Sequence, residues 1–202
     1  MQVFLETDRL TLRRFTEADE SNLFELNSDP EVMRFLNGGT ATPRDEVRTR
    51  IIPAFLGYYE RFDGFGFWAA VETSTGQFLG WFHFRPPLLD EAVPAGWDED
   101  GVIELGYRIR RTAWGKGYAT EGSLALIDRG FTEFGVRRVV AETMAGNRGS
   151  RRVLEKAGLT QTGFVAAPGP AGAADDEQDI VVYELSRAEW ETRRAEGRRA
   201  AR

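Results

Sequence analysis

Between Arg110 and Glu121 the chain reads Arg-Arg-Thr-Ala-Trp-Gly-Lys-Gly-Tyr-Ala-Thr-Glu. Gly115 and Gly117 flank Lys116, so several backbone N–H groups carry no side chain in front of them. A β-rich run, Val102 to Ile109, leads in, and a helical run from about Tyr118 to Phe134 leads out. Bare donors at the positive end of a helix suit a phosphate or pyrophosphate. Two familiar phosphate loops do not fit. A Walker loop needs Ser or Thr after Gly-Lys, where Gly117 stands, and a dinucleotide fingerprint needs a third Gly where Thr120 stands. Taken alone, the glycines also read as plain punctuation of a strand-to-helix turn.

A second stretch follows about a helix length later: Asn147-Arg148-Gly149-Ser150-Arg151-Arg152-Val153-Leu154-Glu155-Lys156-Ala157-Gly158-Leu159. Together the two resemble the GNAT superfamily of N-acetyltransferases, in its branch of ribosomal-protein N-terminal and related amine acetyltransferases. The opening Arg9-Leu10-Thr11-Leu12-Arg13 is similar to that branch, and the resemblance spans roughly Thr7 to Leu185. Thr112 stands where many members have Gln or Arg, and Leu159 where Phe is usual. The resemblance implies acetyl-CoA as cofactor. Its binding is expected from Ile109, Arg110, Arg111, Trp114, Gly115, Lys116, Gly117, Tyr118, Ala119, Thr120, Asn147, Ser150 and Arg152, with the pyrophosphate on the 115–117 loop and the pantetheine arm beside the helix of Asn147 and Ser150. It also implies that the strand Val102 to Ile109 splays from its neighbour to admit that arm.

Moving an acetyl group from a thioester to an amine requires a gripped cofactor, a deprotonated amine, a stabilised oxyanion and a proton for the departing sulfur. An amine attacks directly, so the absence of Cys is no obstacle. Glu104 is the candidate base. It lies in an apolar strand just before the loop, where desolvation would raise its pKa, and the resemblance puts a Glu of this strand in that role. It reads otherwise as a surface Glu paired with an Arg such as Arg108; Glu142 is a second candidate base. Ser150 is the candidate general acid, or a pantetheine or helix-turn contact, with Tyr183 as the alternative hydroxyl. Asn147 reads as a pantetheine contact, an N-cap, or both. A backbone N–H near Ile109 is expected at the oxyanion. Arg111, Lys116 and Arg152 are either phosphate partners or solvated charges.

Composition narrows the rest. The chain has 202 residues, no Cys, one His and a net charge of −6. It reads as one domain over residues 1–186 with a charged, Arg-rich tail over 187–202. Disulfides and metal sites needing paired His or Cys are not expected, and a reducing cytoplasm fits. No run is long enough to span a membrane. Acidic balance disfavours nucleic acid except through the tail, whose six Arg face three Glu; the tail also reads as a solvated, fraying helix. The acceptor is expected to be a primary amine, at a protein N-terminus or on a small molecule such as an aminoglycoside, polyamine or amino acid. A monomer or homodimer is expected. The alternative is a non-catalytic acyl-CoA-binding or ribosome- or RNA-interacting protein.

The positioning elements follow from patterning. Strands are predicted at Arg9 to Phe15, Phe65 to Glu72, Phe78 to Arg85, Val102 to Ile109, Val136 to Thr143, Leu159 to Ala166 and Ile180 to Leu185. Helices are predicted from Thr16 to Asn27, Pro30 to Leu36, Thr42 to Arg61 with a break at Pro53, Tyr118 to Phe134, and after Asn147. Alternation in Phe78 to Arg85 puts Leu79, Trp81 and His83 on one face and Phe78, Phe82 and Phe84 on the other, with His83 a structural histidine or a base. Phe35, Phe55, Tyr58 and Tyr59 line an acceptor pocket or fill the core. Gly106 in mid-strand signals a bulge or a close backbone approach. The long connections Pro86 to Asp100, carrying Trp97 and five acids, and Ala167 to Asp179 read as loops. The fold class is mixed α/β: a mostly antiparallel mixed sheet of six to seven strands, helices on both faces, and a splayed pair at the cofactor site.

Overall fold

The computed structural model describes residues 2–87, 96–165 and 177–200. Most of the two long connections, including Asp90, Glu91 and residues 166–176, lies outside the described residues. Eight strands pair in the order β1-β2-β3-β4-β5-β6-β8-β7, where β1 is Val3–Glu6, β2 Leu10–Arg14, β3 Gly66–Glu72, β4 Phe78–Arg85, β5 Val102–Ile109, β6 Arg138–Met144, β7 Thr160–Val165 and β8 Ile180–Ser186. The mixed, mostly antiparallel sheet agrees with the sequence. The strand count is corrected from six or seven to eight: Val3–Glu6 is too short for alternation to identify, and pairing to β2 defines it. No helix among the described residues is long and apolar enough to cross a membrane.

The chain divides into two compact units, Met1–Arg85 with Leu105–Leu126, and Pro86–Glu104 with Ile127–Arg202. In the first, β1 to β4 form an antiparallel run. Helices α1 (Glu20–Ser28) and α2 (Pro30–Asn37) follow β2. A capping box of Thr16 and Asp19 starts this helical region, and Asp19, 3% exposed, is gripped by Arg13 through bonds of 2.6 and 2.8 Å. Burial pushes the Asp19 carboxyl up, but the bonds from Arg13 and Thr16 outweigh it and hold the pKa below the ordinary value. Asp29 caps α2 by accepting from the Glu31 N–H at 3.0 Å, with Pro30 at the first turn and Gly38 ending the helix at φ 74°.

The break expected at Pro53 takes a specific form. Helix α3 (Arg44–Glu46) passes through a π turn, Val47–Ile51, into α4 (Ile52–Arg61). Pro53 has no N–H to donate, and the widened turn just before it absorbs the mismatch. Helix α4 then packs Phe55 against the sheet, stacked on Phe67 at 3.8 Å and edge-on to Trp81 at 5.7 Å.

Alternation in β4 holds only in part. Phe78 lies 6.3 Å from Phe15, which lies 5.2 Å from Phe55, so Phe78 joins the Trp81 cluster and not the opposite face. The reason is a register shift between β3 and β4 at Ala70/Val71. Beside it stands Gly80 at φ 146°, where an added Cβ would lie 2.1 Å from the Arg108 carbonyl oxygen and 2.8 Å from Ile109 Cα. The Arg110 N–H donates to Leu79 O at 2.8 Å in the same region. The bulge suggested for Gly106 therefore sits on β4. Gly106 supplies the close approach instead: a Cβ there would meet His83 Nε2 at 2.4 Å.

In the second unit β5 pairs parallel to β6, β6 antiparallel to β8, and β8 antiparallel to β7. Trp97, expected in a loop, is 2% exposed and clusters with Val102, Val140 and Val182. The C-terminal segment forms α7 (Arg187–Ala200). Trp190 lies 5.2 Å from Phe131, Arg194 pairs with Asp128 at 2.8 Å, Arg187 donates to Val136 O, and Arg193 to Gly158 O. These arginines are engaged within their own unit.

Gly80→Ala is expected to destabilise the fold by at least about 2 kcal/mol, because the methyl group must displace β5 backbone. Urea unfolding measures this, and an unchanged midpoint would refute the close approach.

Candidate active site

The junction between β5 and helix α5 (Tyr118–Glu133) is built from three tight contacts. After Ile109 the backbone makes one 3₁₀ turn, Arg111–Ala113, and Trp114 donates its indole N–H to Ile109 O at 2.7 Å. Gly115 and Gly117 then take φ of 72° and 86°, which side-chain-bearing residues rarely adopt. The first helical bond is Glu121 N–H to Gly117 O. The N–H groups of Gly115 to Thr120 therefore find no acceptor among the described residues. A Cβ on Gly115 would meet nothing within 4 Å, so the space beside that residue is open, whereas one on Gly117 would lie 3.3 Å from Arg9 Nη2. Bare amides at a helix N-terminus fit a pyrophosphate.

Arg9 and Glu121 clamp this loop, and neither was singled out by sequence reasoning. Arg9 pairs with Glu121 at 2.5 Å, donates to Lys116 O at 3.0 Å, and stacks its guanidinium 4.7 Å from the Tyr118 ring centroid. Glu121 also accepts from the Thr7 hydroxyl at 2.6 Å and the Arg9 N–H at 3.0 Å. Desolvation raises the Glu121 carboxyl, but the bonds from Thr7 and Arg9 prevail and leave its pKa lowered. Tyr118 gives its hydroxyl to Glu72, which raises the phenol's pKa. The available signal was an acid in the first helical turn, where it complements the dipole.

The basic side chains offered for phosphates divide in two. Arg110 is held by α1, bonded to Glu25 at 2.8 Å, and Arg111 lies 3.4 Å from Asp29. Lys116 and Arg152 are exposed and form no ion pair among the described residues. Arg111 also lines an open cleft of about 420 Å³ with Phe24, Glu25, Ser28, Asp29, Pro30 and Glu31. Ala119 and Thr120 are half-buried in the first turn of α5.

In the second unit, Asn147 caps α6 (Arg148–Lys156) by accepting from the Ser150 N–H at 3.1 Å. Its N-cap reading is therefore realised. Tyr183, the alternative hydroxyl, is fully buried; it accepts from Arg151 at 3.1 Å and donates to Glu155 at 3.2 Å. Glu104 is half-buried, and Glu142 is exposed. The expected partner of Glu104, Arg108, bonds to Asn27 instead. The parallel register of β5 with β6 runs from Val102↔Arg138 to Glu104↔Val140 and stops there. In the first unit, His83 lies edge-on to Phe67 at 5.6 Å within the aromatic cluster. Tyr59 is half-buried; it accepts from the Phe15 N–H at 3.0 Å and donates to Phe67 O, and burial pushes its pKa up to about 12.

Glu121→Gln is expected to cost about 1 kcal/mol of stability at neutral pH. A lowered folded pKa stabilises above the unfolded value of about 4.3, and that contribution is lost as pH falls through the folded value. Urea titrations at descending pH should therefore show wild type and variant converging as pH falls below the ordinary carboxylate range. A gap independent of pH would remove the charge from this account.

The model of the acetyltransferase (GNAT) domain family matches residues 9–160. The chain is 35% identical over 156 residues to the uncharacterized protein YkkB of Bacillus subtilis, covering 77% of this chain and 84% of that one. It is 31% identical over 191 residues to the FsC-acetyl coenzyme A-N(2)-transacetylase of Aspergillus fumigatus, covering 94% of this chain and 78% of the relative. The fold is shared with the ribosomal L7/L12 alpha-N-protein acetyltransferase RimL in complex with coenzyme A, at a TM-score of 0.71, 16% identity, and coverage of 92% of this chain and 98% of that one. The glycine loop, the capped Asn147 helix and the mixed sheet thus belong to a member of the GNAT family, an acetyl-CoA-dependent N-acetyltransferase.

Proposed function

We propose that this enzyme acetylates a primary amine, on a small molecule or at a protein N-terminus, by direct attack without an acyl-enzyme. The observation that carries this reading is the end of the β5–β6 register at Glu104, on the strand that runs on into the bare-amide loop. The relative named for N(2) transacetylation supports an amine acceptor. Acetyl-CoA supplies the acetyl group as an activated thioester.

The chain's own groups do the rest. The amides of Gly115 to Thr120, with Lys116 beside them, hold the pyrophosphate; Arg152 is a further phosphate partner. Arg9 and Glu121 keep that loop in its binding shape. Glu104 takes the proton from the acceptor ammonium, which leaves a neutral nitrogen able to form the C–N bond. Ser150 stands in the first turn of α6, where its backbone N–H donates to Asn147, and its hydroxyl would supply the proton that the thiol leaving group needs.

Calorimetric titration with acetyl-CoA and with ATP tests the cofactor site. Wild type should bind acetyl-CoA and not ATP, and Gly117→Asp should abolish binding by setting a carboxylate against phosphate. Unchanged affinity would remove the loop from the site. Glu104→Gln should lower kcat about 100-fold, most severely at low pH where the amine holds its proton, with acetyl-CoA affinity unchanged. An equal fall in affinity would make Glu104 structural.

A further inference from the structure

Arg108 is a half-buried cation that meets no carboxylate among the described residues. Its Nη1 donates to Asn27 Oδ1 at 2.5 Å, and its guanidinium lies 5.1 Å from the Trp81 ring centroid. Its Nε is enclosed with no acceptor. Both neighbours are themselves buried, Asn27 at 1% and Trp81 at 8% exposure. Arg9, Arg13, Arg110 and Arg111, in the same unit, each face a carboxylate, whereas Arg108 faces none among the described residues. Burial lowers its pKa to about 10, so it keeps its charge at neutral pH. A fixed charge held by one neutral amide and one ring face is costly.

The residue keeps some exposure and is next to last in β5, where it meets Asn27 of α1. Its surroundings are apolar: Trp81 contacts the Phe55 and Phe67 rings, and His83 fills the space above Gly106 two residues away. An arginine with unused donors beside an aromatic wall matches an oxyanion attached to an apolar or flat body.

We propose that Arg108 is the specificity residue for the acceptor, and that the acceptor is an amine bearing a carboxylate, which completes the ion pair this arginine lacks among the described residues. The proposal rests on the amine-transfer reading above and adds the second functional group of the substrate. It makes Arg108 a substrate-binding residue with no part in the proton transfers.

The test compares matched pairs in which only the anion differs: free α-amino acids against their carboxamides, with phosphoethanolamine as a phosphate-bearing control. Transfer is followed by thiol release, and binding to the coenzyme A complex by calorimetry. Wild type should prefer the acid over its amide by about 10- to 100-fold in kcat/KM. Arg108→Gln should erase that preference, leave acetyl-CoA affinity within about twofold, and abolish binding of the free acid. Arg108→Met should melt within a few degrees of wild type, since it removes an unpaired charge from an apolar site.

Four results decide the matter. Equal use of acids and amides by wild type, or a preference untouched in Arg108→Gln, overturns the proposal. Preference for phosphoethanolamine over every acid overturns the carboxylate assignment. A collapse in the melting temperature of Arg108→Met makes the residue structural and overturns it too. Binding of acids that depends on Arg108, without acetylation of any amine, leaves the proposal standing and refutes the amine-transfer reading instead.

Discussion

The glycine loop between β5 and α5 depends on one carboxylate. Glu121 joins the first turn of α5 to the start of β2 by accepting from Thr7 and from two donors of Arg9. Arg9 in turn holds the Lys116 carbonyl and covers Tyr118. An anion-binding loop of glycines would otherwise lose conformational freedom each time it binds, and that loss would weaken affinity. Here the ordering is done on folding. The Lys116 carbonyl is turned to Arg9, the Ile109 carbonyl to Trp114, and the amides between them remain without acceptors. The same contacts that stabilise the fold therefore leave the donors bare.

A second constraint acts on the strand that leads into the loop. At Gly80 the backbones of β4 and β5 approach too closely for any side chain, and at Gly106 a side chain of β4 takes the space a Cβ would need. These two glycines bring Trp81 and His83 up against β5 and draw Phe78 into the same aromatic cluster. The strand consequently runs beside a ring-lined surface, and the Arg108 guanidinium lies over one of its rings.

Much of this was legible in the sequence because it is local. Glycines flanking Lys116, Asn147 before a helix, and Pro30 and Pro53 announce their own backbone geometry, and each lies where the pattern put it. What escaped was set by distant partners. Nothing near Arg9 indicates that its guanidinium ends on residue 121, or that Arg108 meets Asn27 and not Glu104. The faces of β4 were misread because a single register shift reverses the alternation beyond it, and a bulge leaves only a glycine as its trace. Strand β1 was missed since four residues with half-exposed side chains carry too little pattern. Trp97 lies in a connection, as its surroundings suggested, but its acidic neighbours concealed that it is buried with Val102, Val140 and Val182.

The clamps described here are built almost wholly from arginine, and the chain contains only two lysines, Lys116 and Lys156. A guanidinium stays protonated and does not attack a thioester, whereas a lysine amine does so slowly whenever it loses its proton. An enzyme that holds an activated acyl donor all its life is exposed to that side reaction at every surface amine. Had Arg9, Arg13 or Arg194 been lysine, each acylation would have cancelled a charge and released a contact. The arginine clamps are themselves chemically inert toward the reagent this enzyme holds.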